Sequence, residues 1–185
     1  TDTLIFQPKD GDGPFSSNTG QLTILSEGEV QTTTLTINTE NAGLLKVAAG
    51  GQLTSTNATV GSTECSTETG RVEVQGEDAQ WTNTGDLTIG CSAFVNNGEV
   101  LITDGGQVIG QGSTVIESSG EVRISGAESL FRIDSSPSSG SGEGTLTLEG
   151  TGRLTLGAQS GLTVEAPGVV DAAKVLINGN GTLSF

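Results

Sequence analysis

Residues 98–110 read Gly98-Glu99-Val100-Leu101-Ile102-Thr103-Asp104-Gly105-Gly106-Gln107-Val108-Ile109-Gly110. Residues 120–133 read Gly120-Glu121-Val122-Arg123-Ile124-Ser125-Gly126-Ala127-Glu128-Ser129-Leu130-Phe131-Arg132-Ile133. In each, a short alternating apolar run ends in glycine and another begins, and no 3.6-residue helical period is present. Fifty residues before Gly120 the chain reads Gly70-Arg71-Val72-Glu73-Val74-Gln75-Gly76, and fifty before that Gly20-Gln21-Leu22-Thr23-Ile24. Trp81, the only tryptophan, then falls opposite Phe131.

The other half of the unit repeats as well. Gly105-Gly106-Gln107-Val108 has a twin in Gly50-Gly51-Gln52-Leu53, and Val100 and Ile102 match Leu45 and Val47. Gly144-Thr145-Leu146-Thr147-Leu148, leading to Gly152-Arg153-Leu154-Thr155-Leu156, reads as a third copy. Units thus start near Gly20, Gly70 and Gly120, with a partial unit from about Gly161.

Two Gly-x-apolar-x-apolar runs per unit predict a rung of about 25 residues bearing three short strands. Such a chain is all-β, a parallel β-helix of about 6–7 rungs, and the crossover rule predicts right-handed coiling. One rung cannot bury its apolar residues, whereas stacked rungs form a continuous core. Alternation in Val122-Arg123-Ile124 and Leu162-Thr163-Val164 sends one side chain inward and the next outward. The predicted organisation is a β-helix domain over 20–185 behind an N-terminal extension over 1–19.

Composition agrees with a narrow core. The 185 residues include 29 glycines but few aromatics and no methionine, histidine or tyrosine. The net charge of −15 argues against nucleic-acid binding, which wants a basic face. It suits an exported protein that stays soluble. No run of apolar residues is long enough for a membrane span. A removed signal peptide would explain a start at Thr1 without methionine, as would a segment taken from a longer chain.

The extension carries Leu4-Ile5-Phe6, closed by Pro8, and a turn at Lys9-Asp10-Gly11-Asp12-Gly13-Pro14. Two readings stand: a cap over the first rung of the same chain, or a strand donated to a neighbouring copy. At the other end, Asn178-Gly179-Asn180-Gly181-Thr182-Leu183-Ser184-Phe185 reads as part of a rung with no capping helix. An open strand edge is a template for another strand. Leu4, Ile5, Phe6, Phe15, Leu183 and Phe185 are accordingly the expected assembly interface.

Cys65 and Cys91 lie twenty-six residues apart, close to one rung. Neighbouring rungs are about 4.8 Å apart, within the reach of a disulfide. A Cys65–Cys91 bridge is expected, and with it an oxidising compartment; a pair of reduced buried thiols is the alternative. Asn57-Ala58-Thr59 and Asn180-Gly181-Thr182 are N-x-Thr sequons, making Asn57 and Asn180 candidate glycosylation acceptors. Residues 134–144 read as a polar loop extruded from a rung.

Catalytic chemistry is scarce. Without histidine or tyrosine, acid–base work would fall to scattered carboxylates, and Glu77, Asp78 and Glu128 occupy surface corners. No catalytic residue, cofactor or metal is expected, and the chain reads as a non-enzyme. Asp10-Gly11-Asp12-Gly13 resembles the start of a calcium loop, but the twelfth position is Gln21 rather than glutamate. Gln31-Thr32-Thr33-Thr34-Leu35-Thr36 reads as an exposed strand. A threonine ladder of the ice-binding kind would need Thr-x-Thr in every rung. Thr145-x-Thr147, set against Glu99 and Leu101, does not meet that need.

The repeat resembles that of autotransporter passengers and PEP-CTERM surface proteins, whose hallmark is Val-x-Gly-Ala-Gly-Ser-x-Trp followed by Asn-x-Gly-x-Leu-x-Ile-Gly. Here Val74-Gln75-Gly76-Glu77-Asp78-Ala79-Gln80-Trp81-Thr82-Asn83-Thr84-Gly85-Asp86-Leu87-Thr88-Ile89-Gly90 follows the pattern, and Ile124-Ser125-Gly126-Ala127-Glu128-Ser129-Leu130-Phe131 follows its first part. The resemblance is good over about 70–133 and looser from Gly20 onward. It implies a bacterial protein at the cell surface or outside the cell. The expected function is that of a structural extracellular protein, a homopolymer subunit joined end to end through the N-terminal segment and the open C-terminal rung. The alternative is an adhesin-type module that binds glycan or a cell surface.

Overall fold

The computed structural model describes residues 21–37, 43–61, 70–91, 98–117 and 119–133 in full. It also places the strand backbones β1 (Thr3–Phe6), β14 (Thr145–Leu148), β15 (Arg153–Leu156), β16 (Gly161–Val164), β17 (Val169–Ala172), β18 (Val175–Ile177) and β19 (Thr182–Ser184). Every strand pairing is parallel and follows the coil order expected of a β-solenoid.

Three faces wrap the core. Face A is a seven-stranded sheet of β2 (Gln21–Ile24), β4 (Leu44–Val47), β6 (Gly70–Gln75), β9 (Gly98–Thr103), β12 (Gly120–Ser125), β15 and β18. Face B holds the first halves of β3 (Glu29–Ile37) and β5 (Gln52–Val60), then β7 (Gln80–Asn83), β10 (Gln107–Gly110), β13 (Leu130–Ile133), β16 and β19. Face C holds β1, the second halves of β3 and β5, then β8 (Leu87–Ile89), β11 (Ser113–Ile116), β14 and β17. Because β3 and β5 run unbroken from face B to face C, these two faces form one twelve-stranded sheet.

The fifty-residue repeat is two rungs. Gly70 pairs with Gly98 and Gly98 with Gly120, steps of 28 and 22 residues. Gln21 pairs with Leu44 and Leu44 with Arg71, steps of 23 and 27. Two sequence matches are corrected. Gly144–Leu148 is no copy of the Gly98 run, because Leu146 stacks on Thr114 of face C while Leu154 stacks on Val122 of face A. Gly161 opens a face B strand beside Leu130. Gly-x-apolar-x-apolar describes any short strand leaving a corner, so it does not encode the face. Among the described residues, β1 lies on face C beyond β3, and β18 and β19 lie on faces A and B beyond β15 and β16.

Alternation fills the interior. In β6, β9 and β12 the inward residues Val72, Val74, Val100, Ile102, Val122 and Ile124 are buried. Each such side chain contributes about 1.5–3 kcal/mol by leaving water. On face B the column runs Leu53, Trp81, Val108, Phe131, all buried. The smaller Val108 separates the two rings, so that neither competes for the other's volume. At the entry to face A, a Cβ on Gly120 would lie 2.1 Å from the Ile89 carbonyl oxygen of the rung before. Only glycine permits that approach.

The N-terminal strand lies on its own chain. In β1, Leu4, Ile5 and Phe6 pair in parallel with Leu35, Thr36 and Ile37 of β3. Residues 31–36 are not uniformly exposed either: Thr32 and Leu35 point into the core.

Candidate functional site

The outward residues of face A form a charge network across four rungs. Arg71 reaches Glu73 at 2.9 Å and Glu99 of the next rung at 3.3 Å. Arg123 approaches the same Glu99 from the other side at 3.8 Å and meets Glu121 at 2.9 Å. Lys46 reaches Glu73 at 3.9 Å. The hydrogen bond that Arg123 donates to the Glu121 carboxylate raises the Arg123 pKa above its ordinary value; desolvation opposes it, and the Glu121 and Glu99 charges add to the rise. The strand period makes Arg71, Glu99 and Glu121 one outward column, and Lys46, Glu73 and Arg123 stand in the column beside it.

Face C carries a different row. Thr36 pairs with Thr59, Thr59 with Thr88, Thr88 with Val115 and Val115 with Thr147. The stacking partners of Thr145 and Thr147 are therefore Ser113 and Val115, not Glu99 and Leu101, which lie on face A. Val115 interrupts the threonine row, and Asn57 and Ser113 interrupt the column beside it. The corner between faces A and B carries the exposed acids Glu27, Asp78, Asp104 and Glu128, each with positive φ. Among the described residues no group of three His, Cys, Asp or Glu side chains is placed to hold a metal. No helix among them is long and apolar enough to cross a membrane.

The predicted site residues are dispersed. Asn57 is exposed, and its Oδ1 accepts a hydrogen bond from the Asp86 amide of the next rung at 3.0 Å. Cys91 is disulfide-bonded. Ser119 of the following rung grips its backbone, accepting from the Cys91 amide at 2.7 Å and donating to its carbonyl at 2.8 Å. Leu4, Ile5 and Phe6 stand on β1 and Leu183 on β19, at opposite ends of the stack. Cys65, Phe15, Asn180 and Phe185 lie outside the described residues, as do the calcium-loop acids Asp10 and Asp12 and the loop over 134–144.

The sequence reading missed two features. One is the polar chain at the corner between faces B and C: Trp81 Nε1 donates to Ser55 Oγ at 2.9 Å and Ser55 Oγ donates to Asn83 Oδ1 at 2.7 Å. Asn83 Nδ2 in turn donates to the Gly85 carbonyl at 2.7 Å. The Asn-x-Gly of the repeat was its signal. The other is the first rung. Leu22 and Val30 are only partly buried there, whereas the next residues in their columns, Leu45 and Leu53, are fully enclosed. At the same rung Leu25 is 65% exposed, the exposed large hydrophobic residue among those described.

No protein-family model matches the chain. No curated protein matches it either. Among solved structures, the chain is similar to a TibC-catalyzed, hyper-glycosylated TibA fragment, at 21% identity and a TM-score of 0.31. The match covers 82% of this chain, which spans 57% of that one.

Proposed function

We propose that the chain forms a rigid extracellular rod on a bacterial surface, a structural element that self-associates end to end. The observation that carries this reading is the partly exposed apolar surface of the first described rung. Leu22, Val30 and Leu25 leave apolar surface at one end of the stack, where the inner rungs leave none in the corresponding inward columns. Exposed apolar surface beside strand edges that no described strand pairs favours association along the axis. The charge of −15 disfavours side-by-side bundling. The disulfide at Cys91 suits an oxidising compartment outside the cytosol.

A binding module is the second reading, and the threonine row Thr36, Thr59, Thr88 on face C favours it. Deleting residues 1–8 separates the two. The rod reading expects the truncated protein to sediment as monomer while the full chain sediments as a concentration-dependent series. A binding module that has lost only its terminal strand still adheres to bacterial or host cells as the full chain does.

A further inference from the structure

We propose that Asp104–Gly105 is a covalent modification site, a point at which the backbone isomerises to isoaspartate, and that the rungs on either side hold it shut. Asp104 is the one aspartate among the fully described residues that glycine follows; Asp78 precedes Ala79 and Asp86 precedes Leu87. A side chain on the following residue hinders attack of its amide nitrogen on the aspartate carboxyl, and glycine has none. Asp104 is exposed at the corner between faces A and B with φ of +55°, and Gly105 follows at +90°.

The reaction is intramolecular and needs no co-reactant beyond water. The Gly105 nitrogen bonds to Asp104 Cγ, its proton and the carboxyl hydroxyl leave as water, and a succinimide ring closes. Water then adds to a ring carbonyl. Cleavage of the bond from that nitrogen to the original main-chain carbonyl carbon leaves the chain running through Cγ. The product is isoaspartate, with no net gain or loss of atoms. The backbone is then one methylene longer at the corner that leads into β10, whose Val108 separates Trp81 from Phe131.

Both reacting groups are held in the native stack. The Gly105 amide donates to Ser129 Oγ of the next rung at 3.1 Å, and Ser129 Oγ donates to the Ser125 carbonyl at 2.7 Å. Gly105 and Ser129 are buried, which shields from water the amide proton that must leave. From the rung before, Gln75 Nε2 donates to Asp104 Oδ2 at 3.0 Å, and Gln75 Oε1 accepts from Lys46 Nζ at 2.8 Å. Attack requires the amide to leave Ser129 and the carboxylate to turn from Gln75 toward the nitrogen. The site therefore reacts from a locally opened corner. Ser129 and Gln75 are positioning residues, and isoaspartate at residue 104 records unstacking among the rungs of β6, β9 and β12.

The test incubates the full chain at neutral pH, below its unfolding temperature. Isoaspartate is located by peptide mapping and counted by enzymatic methylation of isoaspartyl residues. The native wild-type chain should isomerise at residue 104 about tenfold or more slower than the same chain unfolded in guanidinium chloride. Ser129→Ala should raise the native rate several-fold, and Gln75→Ala, at a partly buried position, should raise it less. Deamidation at Asn97–Gly98 in the same digests controls for general loosening. No isoaspartate at residue 104 in the unfolded chain would overturn the site, and equal native and unfolded rates would overturn its protection. A rise matched at Asn97–Gly98, or no rise in either variant, would overturn the roles of Ser129 and Gln75. Should Ser129→Ala fail to fold, Gln75→Ala decides.

Discussion

The indole N–H of Trp81 donates to the hydroxyl of Ser55, one rung earlier in the same sheet, at 2.9 Å, with both residues fully buried. Ser55 passes the contact to Asn83 at 2.7 Å. A buried donor without a partner costs about 1–3 kcal/mol. Ser55→Ala removes the partner of Trp81 and a donor to Asn83. We expect a lower denaturant midpoint corresponding to about 2 kcal/mol with an unchanged m-value. Trp81 fluorescence reports it without interference, since the chain has one tryptophan.

Two glycines separate steric from conformational need. At Gly120 an added Cβ would sit 2.1 Å from a backbone oxygen, and backbone cannot swing aside. At Gly105, with φ of +90°, the nearest atom to such a Cβ is 3.5 Å away, so only the backbone conformation resists substitution. Gly105→Ala should cost about 1–2 kcal/mol. Gly120→Ala should cost more than about 4 kcal/mol or prevent folding. Equal thermal shifts for the two would contradict the stacking described here.

Glu99 lies between Arg71 and Arg123, two guanidiniums from different rungs. Both arginines are substantially exposed, so water screens the pairs. Glu99→Gln should destabilise by about 0.5–1 kcal/mol at low ionic strength, and the difference should shrink in 1 M salt as screening rises. A salt-independent loss would mean that Glu99 acts through packing instead.

The disulfide at Cys91 is expected to join Cys65, the other cysteine in the sequence. Peptide mapping without reductant should recover the two linked. Reduction should lower stability by about 2–4 kcal/mol. Recovery of Cys65 as a free thiol would contradict the pairing.

The fold was legible because inward residues repeat with one chemistry at one spacing. Gly70, Gly98 and Gly120 fall on one column, as do Val72, Val100 and Val122. Face assignment was not legible past residue 133. The step from Glu121 to Arg153 is 32 residues, against 22 from Glu99 to Glu121. A longer step breaks the count, which is why the runs from Gly144 and Gly161 do not reveal their faces. The ladder at Glu99 was equally hidden. Outward charges look scattered until the register sets Arg71, Glu99 and Arg123 side by side. Placing apolar residues at both termini needed only hydropathy.

The most direct test of the account is electron microscopy of the purified wild-type chain at neutral pH. Seven strands of face A at about 4.8 Å per rung predict filaments with an axial subunit repeat of about 34 Å. Dispersed single particles at all concentrations would contradict end-to-end assembly and leave the outer faces, the threonine row first, as the surfaces through which the rod acts.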